Sequence, residues 1–118
     1  MEMIDDKTKK DILDFARQNR KKIISVGFDI PWTDINNVSP SLENFIDLFL
    51  KADYIITSMY HGTILCIKFR KNFCSVVTPR RKVKIGSLLK ELNLSNRIYS
   101  GDISKTLFLD KKDIDKSL

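Results

Sequence analysis

The chain has 118 residues, 42% hydrophobic and 31% charged, with four glycines and three prolines. Such a length suits one domain, and such a composition excludes a disordered, collagen-like or low-complexity chain. The net charge is +6, which favours anionic partners. No apolar run reaches the roughly 18 to 20 residues of a membrane-spanning helix. Met1 is followed by acids and lysines where a secretory leader would place its apolar stretch. The expected location is therefore the cytoplasm, without a membrane span.

Residues 6–19 carry Ile12, Leu13, Phe15 and Ala16 among polar residues, a spacing that predicts a surface helix with one buried stripe. Lys22–Val26 is a short β-branched run ending at Gly27 and reads as a buried strand. Asp29–Val38, with Pro31 and Trp32, reads as a loop. Ser39-Pro40 then opens a second helix that runs to about Lys51, with Leu42, Phe45, Ile46 and Phe49 as its core face.

Asp53 introduces a second strand at Tyr54–Thr57, and the chain turns through Ser58–Gly62. Thr63–Phe69 is nearly all apolar; its periodicity does not separate helix from strand, and helix is the choice made. Phe73–Val77 is a third strand, closed by Thr78-Pro79. Ile85, Leu88, Leu89 and Leu92 then mark an amphipathic helix that stops over Asn93–Asn96. From residue 101 the tail is less regular, with Thr106–Leu109 as an apolar anchor and residues 110–118 as a short terminal helix. Strands separated by helices imply parallel pairing. The fold expected is α/β: a small Rossmann-like parallel sheet of three strands flanked by helices.

Charge is unevenly placed. Between Asp53 and Glu91 there is no acid, while Lys68, Arg70, Lys71, Arg80, Arg81, Lys82, Lys84 and Lys90 supply eight bases. The same segment holds the only histidine, His61. Basic residues without neighbouring carboxylates suit a phosphate or carboxylate, or simply form a solvated face. Ligands of parallel sheets bind at the carboxyl ends of the strands. That puts the turn after Thr57, with His61, and the Pro79–Lys82 cluster on one edge. His61 is either an anion donor and proton carrier there or a core histidine satisfied by a backbone carbonyl. Cys66 and Cys74 lie in no CxxC pair and have one histidine for company, so they read as buried reduced thiols and no metal site is expected. Neither G-x-G-x-x-G nor a Walker pattern occurs, and no cofactor is expected.

The run Ala52-Asp53-Tyr54-Ile55-Ile56-Thr57-Ser58-Met59-Tyr60-His61-Gly62-Thr63-Ile64, followed by Phe69-Arg70-Lys71-Asn72-Phe73, resembles the C-terminal signature of the polysaccharide pyruvyl transferase family, "AD-apolar-apolar-T", "SFHGT", an apolar helix and "F-x-K-x-F". Leu88–Arg97 resembles the family's "LL-x-x-L-x-L-x-x-R", and the likeness extends over about residues 22–99. Met59 stands where the family usually has serine, Tyr60 where it has phenylalanine, and Lys84 near a position often held by arginine. The resemblance implies a two-lobed, glycosyltransferase-B-like bacterial enzyme of exopolysaccharide biosynthesis, taking phosphoenolpyruvate as donor and a sugar of a cell-surface polysaccharide as acceptor. It implies His61 as the catalytic acid and Gly62 as the glycine beside it. Arg80, Arg81 and Lys84 are the further candidates for the donor's two anionic groups. Residues 1–118 then form a single C-terminal lobe, a fragment or solitary, inactive without an N-terminal lobe as partner. The alternatives are a noncatalytic anion or nucleic-acid binding module and a nucleotide-sugar-binding glycosyltransferase lobe. Sparse aromatic interleaving in the basic segment argues against nucleic acid.

Overall fold

The computed structural model describes residues 5–26, 32–37, 41–77, 82–107 and 114. In chain order they form α1 (Asp6–Gln18), β1 (Ile24–Val26), β2 (Ile35–Asn37), α2 (Leu42–Lys51), β3 (Ile55–Thr57), α3 (Tyr60–Lys68), β4 (Phe73–Ser75), α4 (Lys82–Glu91), a 3-10 turn at Ser95–Arg97 and α5 (Ile103–Leu107). The chain divides after Lys51 into two compact units.

In the first unit, Asp5 caps α1 by accepting the Thr8 N–H at 2.8 Å; hydrogen bonding from the Thr8 side chain first, and from this N–H second, lowers its carboxyl from the ordinary value. The predicted stripe forms: Ile12, Phe15 and Ala16 are buried together with Thr8. Two expectations fail here. Residues 35–37, read as loop, form β2, which pairs in parallel with β1. Asp34 makes that pairing, since its carboxylate accepts the Ile23 N–H at 2.7 Å while the Ile23 carbonyl accepts from Asp34 and Ile35. A strand of sequence Ile-Asn-Asn has low intrinsic strand preference, so hydrogen bonding rather than composition defines it. The second failure is α2. Ser41 Oγ accepts the Asn44 N–H at 3.1 Å at its start, and Ser39-Pro40 lie outside the described residues. Its apolar stripe is present, yet none of its residues is buried, and Leu42 is 73% exposed.

The second unit is a β-α-β turn with a helical tail. β3 and β4 pair in parallel, Ile55 with Phe73, Ile56 with Cys74 and Thr57 with Ser75, across the crossover helix α3. The expected three-stranded sheet is thus replaced by two two-stranded ones, and the α/β class stands. Thr63–Lys68 is helical, as chosen, but the helix already begins at Tyr60, inside the expected turn, and Phe69 is its C-cap. All three residues of β4 are buried, because α3, α4 and α5 supply Cys66, Ile67, Ile85, Leu89, Ile103 and Leu107 to one core. The chain returns to β4 after the 3-10 turn, where the Tyr99 N–H donates to the Ser75 carbonyl at 2.8 Å. Thr106 and Leu107 of the expected anchor are buried, and so is Ile114; Phe108, Leu109 and the rest of the expected terminal helix lie outside the described residues.

Arg97 is the largest side chain with no exposure at all. Its guanidinium donates to the carbonyls of Phe73 and Thr106 at 3.4 and 3.3 Å and lies 5.5 Å from the Phe73 ring centroid. It thereby ties α5 to β4.

Three helices end alike, and without glycine. Arg20, Arg70 and Asn93 follow α1, α3 and α4 with φ of 55°, 54° and 59°. In each case the next N–H reaches back over the last turn: Lys21 to Ala16, Lys71 to Cys66 and Leu94 to Leu89, at 2.8, 2.8 and 2.6 Å. This left-handed closure satisfies carbonyls that a helix end leaves open. Arginine gives no stop signal at the ends of α1 and α3, whereas Asn93 stands where the sequence already placed the end of α4.

Burial pushes the Cys66 thiol up to about 12 from an ordinary 9.0, against the opposing pull of Lys71 and Arg97. The fold therefore keeps a proton that the unfolded chain releases above about pH 9, so stability is untouched below that pH and falls as pH rises towards 12. The slope is at most about 1.4 kcal/mol per pH unit. Urea unfolding at about pH 8 and about pH 10.5 should show a larger loss for the wild-type chain than for Cys66→Ala. Equal losses would show that this thiol does not govern the alkaline transition.

Candidate functional site

β3 ends at Thr57, and the chain must reverse onto the sheet within two residues. Thr57 Oγ1 accepts the Met59 N–H at 3.1 Å, which bends the backbone and hands it to α3 at Tyr60. Thr63 then anchors the first turn. It is fully buried, its backbone N–H and its hydroxyl both donate to the Met59 carbonyl, at 3.0 and 2.9 Å, and its hydroxyl lies 3.4 Å from Ser75 Oγ of β4.

Between these anchors sits Gly62. A Cβ on it would meet Thr57 Oγ1 at 2.4 Å and Thr57 Cβ at 3.3 Å. Rotating Thr57 away would sacrifice its bond to Met59, so the position accepts no side chain without a shift. The family resemblance gave Gly62 as the glycine beside His61; the structure supplies a packing reason for it within the chain itself.

The first turn of α3 is electrostatically open. Met59 is its N-cap in extended conformation with no side-chain cap bond, and no acid stands in the first turn. The serine usual in the family pattern would be a preferred cap residue at this place. With methionine there, the positive end of the helix dipole has no hydroxyl to shield it.

His61 lies in this turn, at the carboxyl end of β3, and is exposed. The core alternative for it is thereby corrected: helix geometry turns it outward while Thr63, two positions on, faces in. Its ring meets that of Tyr60 edge-on, centroids 5.7 Å apart at 80°. Lys84 of α4 brings its Nζ 4.3 Å above the same Tyr60 ring. Of the sequence candidates, His61, Gly62 and Lys84 are thus gathered at one end of the second unit, while Arg80 and Arg81 lie outside the described residues. The residues that sequence reading missed are Thr57 and Thr63, which hold the turn, and Tyr60, which joins His61 to Lys84. A threonine five positions before a glycine at a strand end was the available sign.

Surface hollows lie elsewhere, one along α1 between Asp6 and Arg17 and one beside Ser95 and Lys105, and neither includes His61 or Lys84. Among the described residues, no group of three His, Cys, Asp or Glu side chains is placed to hold a metal ion, and no helix is long and apolar enough to cross a membrane.

An exposed histidine in the first turn of a helix that follows a parallel strand, inside an acid-free segment, is the site that this α/β protein presents. The family model for polysaccharide pyruvyl transferase matches residues 3–79, and the chain belongs to that transferase family. The match includes the β3–α3 turn with His61 and Gly62 and stops short of Arg80, Arg81 and Lys84. No curated protein and no solved structure matches the chain.

Two substitutions probe the turn. Gly62→Ala should cost about 1–3 kcal/mol by overpacking, and Thr57→Ala in the same chain should recover part of it, read from urea midpoints. Full additivity of the two would refute the Thr57–Gly62 contact. Met59→Ser should raise stability by about 1 kcal/mol, the usual gain from a side-chain cap; an unchanged midpoint would mean that the helix start is already satisfied.

Proposed function

We propose that this chain is the C-terminal lobe of a polysaccharide pyruvyl transferase, which transfers pyruvate from phosphoenolpyruvate to a sugar of a cell-surface polysaccharide as a ketal. Family membership supports the reaction class, and the exposed His61 in the uncapped first turn of α3 is the observation that carries the site.

The chemistry assigns distinct tasks. Two sugar hydroxyls lose their protons as their oxygens bond to C2 of the donor, the C2–O bond to phosphate breaks, the methylene carbon gains one proton to become methyl, and the second proton leaves with the phosphate. Phosphate leaves with the bridging oxygen. His61 is the acid for the methylene carbon, as general acids stand within reach of the atom they protonate. The donor carries a phosphate and a carboxylate, and cationic donors bind both more strongly than neutral ones do. Lys84 is one such group; Arg80 and Arg81 join it on the strength of the sequence, and Gly62 on the strength of the family resemblance. The glycosyltransferase-B-like partner lobe closes over this face, excludes water and presents the acceptor.

That division of labour makes the isolated chain a binder and not a catalyst. Orienting two substrates is typically worth about 7–11 kcal/mol, and one lobe alone forfeits most of it. Calorimetric titration with phosphoenolpyruvate should show weak binding that His61→Ala reduces, and phosphate release with candidate sugars should be absent. Sustained acceptor-dependent release by a demonstrated monomer would overturn the one-lobe reading. Binding indifferent to His61→Ala would overturn the site.

A further inference from the structure

The Tyr60 side chain touches both His61 and Lys84, two members of the proposed donor site. His61 precedes a buried turn and has its direction fixed by α3, but Lys84 is an exposed residue on another helix. A lysine ammonium on a four-carbon stem is a mobile point charge. Here its Nζ stands 4.3 Å from the Tyr60 centroid, well inside the roughly 6 Å over which a ring face attracts a cation. The edge contact of the same ring with His61, at 5.7 Å between centroids, brings imidazole and ammonium to no more than about 10 Å apart. Tyr60 is itself half-buried and part of the helix, so it is the fixed partner and Lys84 the one being held.

We propose that Tyr60 is a positioning residue: its ring holds the Lys84 ammonium beside His61, so that both face one small dianionic ligand. The inference rests on the donor-site reading above and adds the residue that assembles it. It also explains how an aromatic at this position serves a lysine from α4. The ring face, not the hydroxyl, does the holding, so phenylalanine substitutes for tyrosine and an aliphatic side chain does not.

The test uses the 118-residue chain with phosphoenolpyruvate and inorganic phosphate as probes. In carbon-edited NMR spectra the Lys84 Hε protons, assigned by their loss in Lys84→Met, should be shifted upfield by the ring current in the wild type and in Tyr60→Phe, and should return to ordinary lysine positions in Tyr60→Leu. Calorimetry should show Tyr60→Leu weakening binding about two- to fivefold, the range of an exposed cation–π contact, with Tyr60→Phe restoring it. Tyr60→Leu should weaken nothing further in a Lys84→Met background. An additional loss there, or an unshifted Lys84 in the wild type, would overturn the proposal. If phosphate binds in a Tyr60-sensitive way and phosphoenolpyruvate does not bind, the pyruvyl-donor reading fails and the positioning role is supported. If Tyr60→Leu binds both probes as the wild type does, the positioning role fails and the donor reading stands. Thermal unfolding of each variant separates these effects from loss of fold, and the exposed Lys84→Met gives the same contrast should Tyr60→Leu unfold.

Discussion

The second unit depends on the distance between Thr57 and Gly62. A helix that begins two residues after a strand must pass its first turn directly over the strand's last side chain. Here the threonine fills the space that any Cβ at Gly62 would need. Because that threonine is also the acceptor that bends the chain at Met59, one hydroxyl sets both the sharpness of the turn and the height of the helix. His61 inherits its outward direction from this arrangement. The same close packing turns Thr63 inward to Met59 and Ser75, so the exposed histidine and the buried threonine are two consequences of one constraint.

Around that turn, the fold uses polar backbone satisfaction where a larger protein would use apolar bulk. Three helices close with left-handed non-glycine residues, a conformation that costs an ordinary residue of the order of 1 kcal/mol. The returning N–H bonds to Ala16, Cys66 and Leu89 offset that cost. The benefit is a short, definite exit: Lys71 and Asn72 lead at once into β4, and Leu94 drops into the core. Strands of only three residues are adequate because β4 is covered by helices on its own unit's side chains rather than by a wide sheet.

Much of the second unit was legible in the sequence. The strands read at residues 54–57 and 73–77 and the helix after residue 81 announced themselves through apolar runs and spacing, whereas the run at residues 63–69 was nearly all apolar and its helix was a choice that periodicity did not make. The carboxyl-edge location of His61 followed from the parallel pairing. The first unit was less legible for two reasons. β2 is made by the carboxylate of Asp34 and not by hydrophobic alternation, so no pattern marks it. The stripe of α2 has helical spacing, and spacing reports a face without reporting what lies against it. The ends of α1 and α3 were blurred because arginine occupies the place where glycine would have signalled a stop, while Asn93 did mark the end of α4. The cap position of Met59 became meaningful only once the turn was seen, since an apolar residue before a helix looks like any other core residue in a string of letters. Tyr60 was missed for a related reason: its partner Lys84 is distant in sequence, and only the packing of α3 and α4 joins them.

Arg97 bears on the order in which the protein is made. A guanidinium keeps its charge at every physiological pH, so enclosing it is tolerable only once acceptors are in place. One acceptor belongs to β4 and the other, the Thr106 carbonyl, to α5. During synthesis from the amino terminus, β3, α3 and β4 are therefore all available before the segment that completes the charge's surroundings exists. A chain that stops before α5 has the Phe73 carbonyl but not that of Thr106, and an arginine enclosed there would be without one of these two acceptors.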